Sequence, residues 1–177
     1  KLETERVVPC DTLILAVGLI PENELSYNAD ITLDTTTGGP IVDQDMETSQ
    51  PGIFACGNVV HVHDVVDDVT IAAQTAGREA AKAAISELHK HTIIPVQLGD
   101  NVSYVVPQCI SDVDTDVRFY LRVQTEQRNA VVMVRCDDAI LAEQRQPIVR
   151  PPEMVTLTVP AERLEGIHHI EVEVQDG

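Results

Sequence analysis

The stretch that decides the fold is Thr48-Ser-Gln-Pro-Gly-Ile-Phe-Ala-Cys-Gly-Asn58. Its Pro51-Gly52 pair predicts a turn, the apolar run that follows predicts a short buried strand over 53–56, and Gly57-Asn58 predicts a second turn. A helix rich in small residues comes next, and we predict that it runs from about Asp68, which can cap its amino end, to Lys90. Turn, strand, glycine turn and helix in this order predict an α/β arrangement.

A second buried strand is predicted upstream of this stretch. Thr12–Val17 is a continuous apolar run that ends at Gly18, which is typical of a strand buried on both faces in a parallel sheet. Pro21 directs the chain away from that strand, and Ile41–Asp43 begins another short strand. We therefore predict that residues 1–94 form part of an α/β domain.

From Val96 onward the hydrophobic pattern changes to a period of two, which predicts strands with one buried face. Val117, Phe119, Leu121 and Val123, for example, alternate with polar or amphipathic residues. The predicted strands are 102–106, 117–123, 129–136, 139–149, 155–159 and 170–174. Residues 95–177 are accordingly predicted to form a small antiparallel β-sandwich, which makes the chain α/β followed by all-β.

Two segments carry a resemblance to a known family. Leu13-Ile-Leu-Ala-Val-Gly-Leu-Ile-Pro-Glu-Asn23 is similar to the A-x-G-x-x-P-N segment of pyridine nucleotide–disulphide oxidoreductases, with Glu22 inserted before Asn23. Gly52–Asn58 resembles the strand that ends in Gly-Asp at the FAD site of that family. The resemblance covers residues 1 to about 94 and extends to FAD-dependent, alpha-subunit-like proteins of anaerobic glycerol 3-phosphate, opine or sarcosine dehydrogenase systems.

This resemblance implies the C-terminal half of a Rossmann-like FAD-binding domain in a longer oxidoreductase. By the family pattern, Gly57 lets the backbone approach the cofactor, and Asn58 binds the ribityl chain where relatives carry aspartate. Thr70 and Ile71 open the helix and direct backbone N–H groups at the flavin C2 carbonyl, where the positive helix end stabilises negative charge. The implied chemistry moves electrons from NAD(P)H through FAD to a small-molecule substrate or a protein acceptor. No catalytic residue is identified.

His61-Val-His63-Asp64 lies between the glycine turn and the helix and leaves three alternatives open. The segment could bind a metal ion, place one histidine near the flavin or an active-site cleft, or form a hydrogen-bonded loop. The loop is our prediction, and we predict no metal site, because the four cysteines are far apart in the sequence. Cys10 and Cys56 are expected to be reduced interior thiols, and His168-His169 carries no predicted function.

The composition limits the partners of the chain. Its formal charge is -17, from 29 acidic and 12 basic residues, which argues against a nucleic-acid partner because phosphate binding needs a positive face. No apolar run reaches the length of a membrane span, and with free thiols we expect a cytoplasmic protein. An alternative function is a non-catalytic docking or scaffold module that retains half a flavoprotein fold and binds a partner subunit through its β-domain.

Overall fold

The computed structural model of the protein describes residues 2–15, 18–85, 93–111 and 115–177. The elements of this described part are two α-helices, three 3-10 turns and eight β-strands. The helices are α1 (Glu24–Asn28) and α2 (Val66–Ile85), and the 3-10 turns are Leu2–Thr4, Gly57–Val59 and Ala161–Arg163. The strands are β1 (Ile94–Leu98), β2 (Val102–Val106), β3 (Cys109–Ile110), β4 (Val117–Val123), β5 (Gln127–Cys136), β6 (Ala139–Val149), β7 (Val155–Val159) and β8 (Ile170–Asp176).

The eight strands form two sheets that share one apolar core. One sheet has the strand order β3-β1-β8-β5-β6, and the other has the order β2-β4-β7. The core draws on both sheets and includes Phe119, Leu121, Val132, Ile170 and Val172. The predicted strands are therefore confirmed, because period-two alternation places one face of each strand in this core.

Two features of the β-rich half differ from the prediction. The sandwich is not wholly antiparallel, because β1 pairs parallel with β8, with Val96 opposite Ile170. Strands β1 and β3 were not predicted, since β1 contains Pro95, which has no N–H to donate, and β3 has only two residues. The parallel pair joins the segment that follows α2 to the last strand of the chain.

Strand β4 is the element on which the two halves meet. Its inward residues, among them Phe119 and Leu121, are fully buried in the sandwich core. Tyr120 points to the opposite face and is also buried, in a second apolar cluster with Val42, Val60 and Ala72. The loops and the helix of the first half thus cover the outer face of the smaller sheet.

The predicted buried strands of the first half are not formed. Residues 12–15 have no regular secondary structure, and the side chains of Leu13, Ile14 and Leu15 are 74%, 84% and 72% exposed; the rest of that predicted strand, 16–17, lies outside the described residues. Residues 41–43 and 53–56 contribute only single bridges, in which Val42 faces Thr48 and Phe54 faces Glu47. A buried parallel strand needs hydrogen-bonding neighbours on both sides, and no described residue supplies them to 12–15. Cys10 is consequently exposed, not interior, and Cys56 is half-buried.

Helix α2 is formed but begins earlier than predicted. It starts at Val66, so Asp67 and Asp68 lie in its first turn instead of capping it. Its small residues Ala72 and Ala76 are buried against the second apolar cluster. The predicted final turn of the helix, 86–90, lies outside the described residues, and the proposed domain boundary near residue 94 stays a prediction.

Across the described ranges, no helical stretch combines the length and the hydrophobicity that crossing a lipid bilayer requires.

Candidate functional site

The Gly57-Asn58 turn is built on a backbone conformation that favours glycine. Gly57 is buried and has a φ of +74°, in the left-handed region, and it begins the 3-10 turn over 57–59. The Val60 N–H donates to the Gly57 carbonyl at 3.0 Å, which closes the turn. The Asn58 side chain is exposed, and its Oδ1 accepts a hydrogen bond from the His63 N–H at 3.2 Å. This polar side chain therefore sits at the surface of a fixed turn.

Helix α2 presents its amino end beside this turn. A Cβ built on Gly57 would lie 3.5 Å from Cγ1 of Val69, so a methyl group added to the turn would just reach van der Waals contact with the helix. The N–H groups without intrahelical partners are those of the residue before the helix and of its first three residues, 65–68. Thr70 and Ile71 follow in the second turn with exposed side chains, and the Thr70 hydroxyl donates to the Val66 carbonyl at 2.9 Å. Thr70 and Ile71 thus lie one turn beyond the helix start, and their role at a flavin stays a prediction.

Asp68 brings a negative charge to the amino end of α2, and the β-rich half supplies the partner. The Asp68 carboxylate accepts a hydrogen bond from Arg118 of β4 at 2.8 Å. The guanidinium of Arg118 in turn lies 5.3 Å from the ring centre of Tyr120. Arg118 balances the charge of Asp68, whereas Asp67, in the same first turn, is an exposed carboxylate close to the positive helix end.

Asn23 fixes the turn from the other side. Its side-chain amide donates to the carbonyls of Gly38, at 2.8 Å, and of Val59, at 3.1 Å, and its Oδ1 accepts from the Ser26 hydroxyl. The backbone of Gly39 packs directly against the Val60 carbonyl, since a Cβ built on Gly39 would lie 1.9 Å from its oxygen. In the sequence, Asn23 is recognisable only as part of a motif, and Gly39 was not predicted to pack closely. The adjacent glycines before Pro40 were the available signal for a close backbone approach.

His61 and His63 are buried next to each other against tyrosines of the smaller sheet. Their ring centres are 4.2 Å apart, and the ring of Tyr120 lies 5.6 Å from His61 and 5.4 Å from His63. Burial lowers the pKa of His61 from 6.5 to about 3, and it also lowers the pKa of His63, although Asp68 and Asp64 oppose the shift of His63. Both imidazoles are therefore neutral at pH 7.

The metal-binding alternative for this segment lacks a third converging ligand among the described residues. Nδ1 of His61 and both ring nitrogens of His63 are buried with no hydrogen-bond partner there. Asp64 does not converge on them, because its carboxylate accepts from Arg122 at 2.5 Å and from the Met154 N–H at 2.6 Å. The prediction of a hydrogen-bonded loop is correct for Asp64 but wrong for the two rings, which pack as aromatic side chains.

A cavity of about 510 Å³ lies between the 41–51 loop and strands β1 and β3. Cys109 lines it, but burial raises the pKa of this thiol to about 12, so the nucleophilic thiolate is not formed at pH 7. Asp43, also on its wall, already accepts hydrogen bonds from Ser111 and from the backbone of Asp45 and Glu47. The cavity therefore offers no free nucleophile or base among these residues.

Comparison with known proteins relates the first half of the chain to one family. Residues 1–87 match the family model described as pyridine nucleotide-disulphide oxidoreductase. The chain is similar to a probable ferredoxin reductase of Castellaniella defragrans, at 37% identity over 59 residues, which are 33% of this chain and 14% of the relative. Thioredoxin reductase of Listeria monocytogenes is 39% identical over 56 residues, 32% of this chain and 17% of the relative. The glutamate synthase (NADPH) small chain of Escherichia coli is 32% identical over 90 residues, 48% of this chain and 18% of the relative.

The matches cover less than a fifth of the length of each of these relatives. No solved structure matches the chain. The predicted resemblance to pyridine nucleotide–disulphide oxidoreductases is supported for residues 1–87.

Proposed function

We propose that the chain is the C-terminal part of an alpha-subunit-like, cytoplasmic flavin oxidoreductase that moves electrons from NAD(P)H through FAD to a second acceptor. In this proposal the chain supplies the ribityl and isoalloxazine side of the FAD site. The observation that carries it is the position of the Gly57 turn beside the first turn of α2. A Cβ built on Gly57 would lie 3.5 Å from Cγ1 of Val69. A glycine turn and a helix amino end side by side provide close backbone approach and unpaired donors at one place.

The residues of the turn fit a polyhydroxyl chain. Gly57 holds its left-handed conformation without strain, and Asn58 presents an exposed amide group. The Oδ1 of Asn58 is held by the His63 N–H, so its amide nitrogen is the group that would donate to a hydroxyl of the ribityl chain. Asn58 can serve here in place of the aspartate of the family, without a charge.

The amino end of α2 fits the flavin ring. The N–H groups of residues 65–68, which have no intrahelical partner, and the helix dipole would stabilise negative charge at the C2 carbonyl, and the exposed side chains of Thr70 and Ile71 would line the ring. Arg118 assists by balancing Asp68. FAD, when bound, supplies hydride chemistry at its N5 atom, whereas the residues named here bind and orient it.

The proposal is tested by measuring FAD affinity, through quenching of flavin fluorescence, in variants of the protein expressed from its natural start codon. Gly57→Ala should weaken binding, because it strains the turn next to the cofactor. Gly166→Ala is the matched control, since Gly166 has nearly the same φ, +73°, with no atom within 4 Å of a built Cβ. Asn58→Leu should weaken binding and Asn58→Asp should preserve it. Equal affinities in all four variants would contradict the proposed site.

The exposed apolar residues of the first half favour a second candidate function, a docking or scaffold module. Leu13, Ile14, Leu15, Leu19 and Ile20 are each at least 65% exposed, a surface that a partner subunit could cover. This alternative predicts a stable heteromer that contains no flavin and takes up no added FAD.

A further inference from the structure

The β-rich half brings together two pairs of neighbouring residues, Cys136-Asp137 and His168-His169, whose side chains are of types that can bind metal ions. Strand β5 ends at Cys136, Asp137 begins the turn into β6, and His168 and His169 directly precede β8. Strands β5 and β8 pair antiparallel with Arg135 opposite Glu171. The same register, continued past the ends of the strands, places Asp137 alongside His169.

The donor atoms of three of these residues converge at this end of the sandwich, and His169 lies beside them. The thiol sulfur of Cys136, a carboxylate oxygen of Asp137 and a ring nitrogen of His168 all lie within 4.8 Å of one another. Nε2 of His168 is 3.1 Å from Oδ2 of Asp137, and Nδ1 of His169 is 3.9 Å from Oδ1 of the same carboxylate. Nδ1 of His169 is buried and has no hydrogen-bond partner among the described residues.

These distances are close to those of ligands around one tetrahedral ion. With Zn–N and Zn–O bonds of about 2.0–2.2 Å and a Zn–S bond of about 2.3 Å, neighbouring donor atoms in a tetrahedron lie about 3.3–3.6 Å apart. Binding one ion would require side-chain rotations that bring the observed separations into that range, and the side chains of His168 and Asp137, 72% and 63% exposed, have room for them. Among the described residues this is the one group of three or more such side chains with converging donor atoms.

The chemistry of the donor set selects the ion. A thiolate and imidazoles suit zinc, whereas magnesium and calcium require oxygen ligands. One thiolate and one carboxylate also neutralise the two charges of a divalent cation. We propose that Cys136, Asp137, His168 and His169 form a zinc site that fastens the β5–β6 turn to the segment before β8.

The test is a titration of the purified protein with Zn²⁺ by calorimetry and with Co²⁺ by visible spectroscopy. We expect one ion per chain, and a Co²⁺ spectrum that contains a thiolate-to-metal charge-transfer band. Cys136→Ser should remove that band, whereas Cys10→Ser, which changes an exposed thiol elsewhere, should leave it unchanged. Added Zn²⁺ should also raise the thermal midpoint of unfolding of the parent protein but not of Cys136→Ser.

A neighbouring pair of variants separates ligation from general negative charge. Asp137→Asn should weaken Zn²⁺ binding by more than about tenfold, the loss that even an outer-shell partner can cause, while Asp138→Asn, next to it in the same turn, should change it much less. His168→Ala should weaken binding as Asp137→Asn does. The proposal is overturned by the absence of saturable binding of one ion, or by binding that Cys136→Ser and His168→Ala leave intact.

Discussion

Phe119 and Leu121 of β4 are completely buried, whereas Leu13, Ile14 and Leu15 of the first half are each more than 70% exposed. Both runs are apolar and both are predicted as strands. The difference lies in their neighbours, because β4 pairs with β2 and β7, while no described residue pairs with 12–15. Burial of an apolar strand is thus decided by the strands beside it and not by its own hydrophobicity.

The largest effect is expected when one residue in each of these two runs is truncated to alanine. Phe119→Ala should lower the free energy of unfolding of the chain by about 3–5 kcal/mol, because it opens a cavity in the sandwich core. Leu15→Ala should change it by no more than about 0.5 kcal/mol, as for other exposed positions. Chemical denaturation followed by circular dichroism measures both. A similar loss in the two variants would mean that Leu15 is buried in solution.

The next largest effect should come from the ion pair that joins the two halves. Arg122 of β4 bonds Asp64, the Tyr104 hydroxyl and the carbonyls of Val62 and Pro152. Arg122→Met should lower the free energy of unfolding by about 2–3 kcal/mol, since it leaves these groups without their donor. The control is Arg128→Met, because the Arg128 side chain is 76% exposed and its ion pair with Glu126 is 3.9 Å long. If the control costs as much as Arg122→Met, the contact between the halves contributes nothing specific.

Two glycines of the first half should respond to alanine in opposite directions. Gly39→Ala should destabilise the chain by about 1–3 kcal/mol, because the new Cβ would meet the Val60 carbonyl. Gly77→Ala should stabilise it by about 0.5–1 kcal/mol, since Gly77 lies within α2 with open space around it. Thermal unfolding of the two variants gives the signs, and a neutral Gly39→Ala would show that the packing against Val60 is looser than in the structure.

Over any one pH unit, a modest effect is also expected from the dependence of stability on pH. The folded state lowers the pKa of His61 from 6.5 to about 3, so below pH 6.5 the unfolded state binds a proton that the folded state excludes. Stability is therefore complete above pH 6.5 and falls as the pH drops towards 3. Between pH 6.5 and 5.5 the loss from His61 should be about 1 kcal/mol, and His63 adds to it in the same direction.

The matched variant for this prediction is His61→Phe, which keeps an aromatic ring against Tyr104 and Tyr120 but cannot titrate. Denaturation at several pH values should show a shallower slope for this variant than for the parent. An unchanged slope would assign the acid sensitivity to other groups.

Much of the β-rich half could be predicted from the sequence because its strands show clear alternation. β2, β4, β6 and β7 have the predicted bounds. The parallel pairing of β1 with β8 could not be predicted, since the five residues of β1 include a proline and carry no register signal. The convergence of Cys136 and Asp137 on His168 was likewise hidden, because it depends on the register between β5 and β8.

At the candidate flavin site, the sequence predicted the helix but not its first residue or what packs beside it. The glycine turn and the helix were identified, but the helix start was placed two residues late, since Asp68 reads as a cap although it lies in the first turn. The burial of His61 and His63 was missed because the tyrosines that cover them belong to strands β2 and β4 of the other half.

The most direct test of the proposed flavin site is a visible absorption spectrum of the protein expressed from its natural start codon. We expect a flavin band that bleaches when NADH or NADPH is added, and a weaker band after purification of Gly57→Ala than of Gly166→Ala. A folded, colourless protein that takes up no added FAD would contradict the proposed function and leave a docking module as the better explanation.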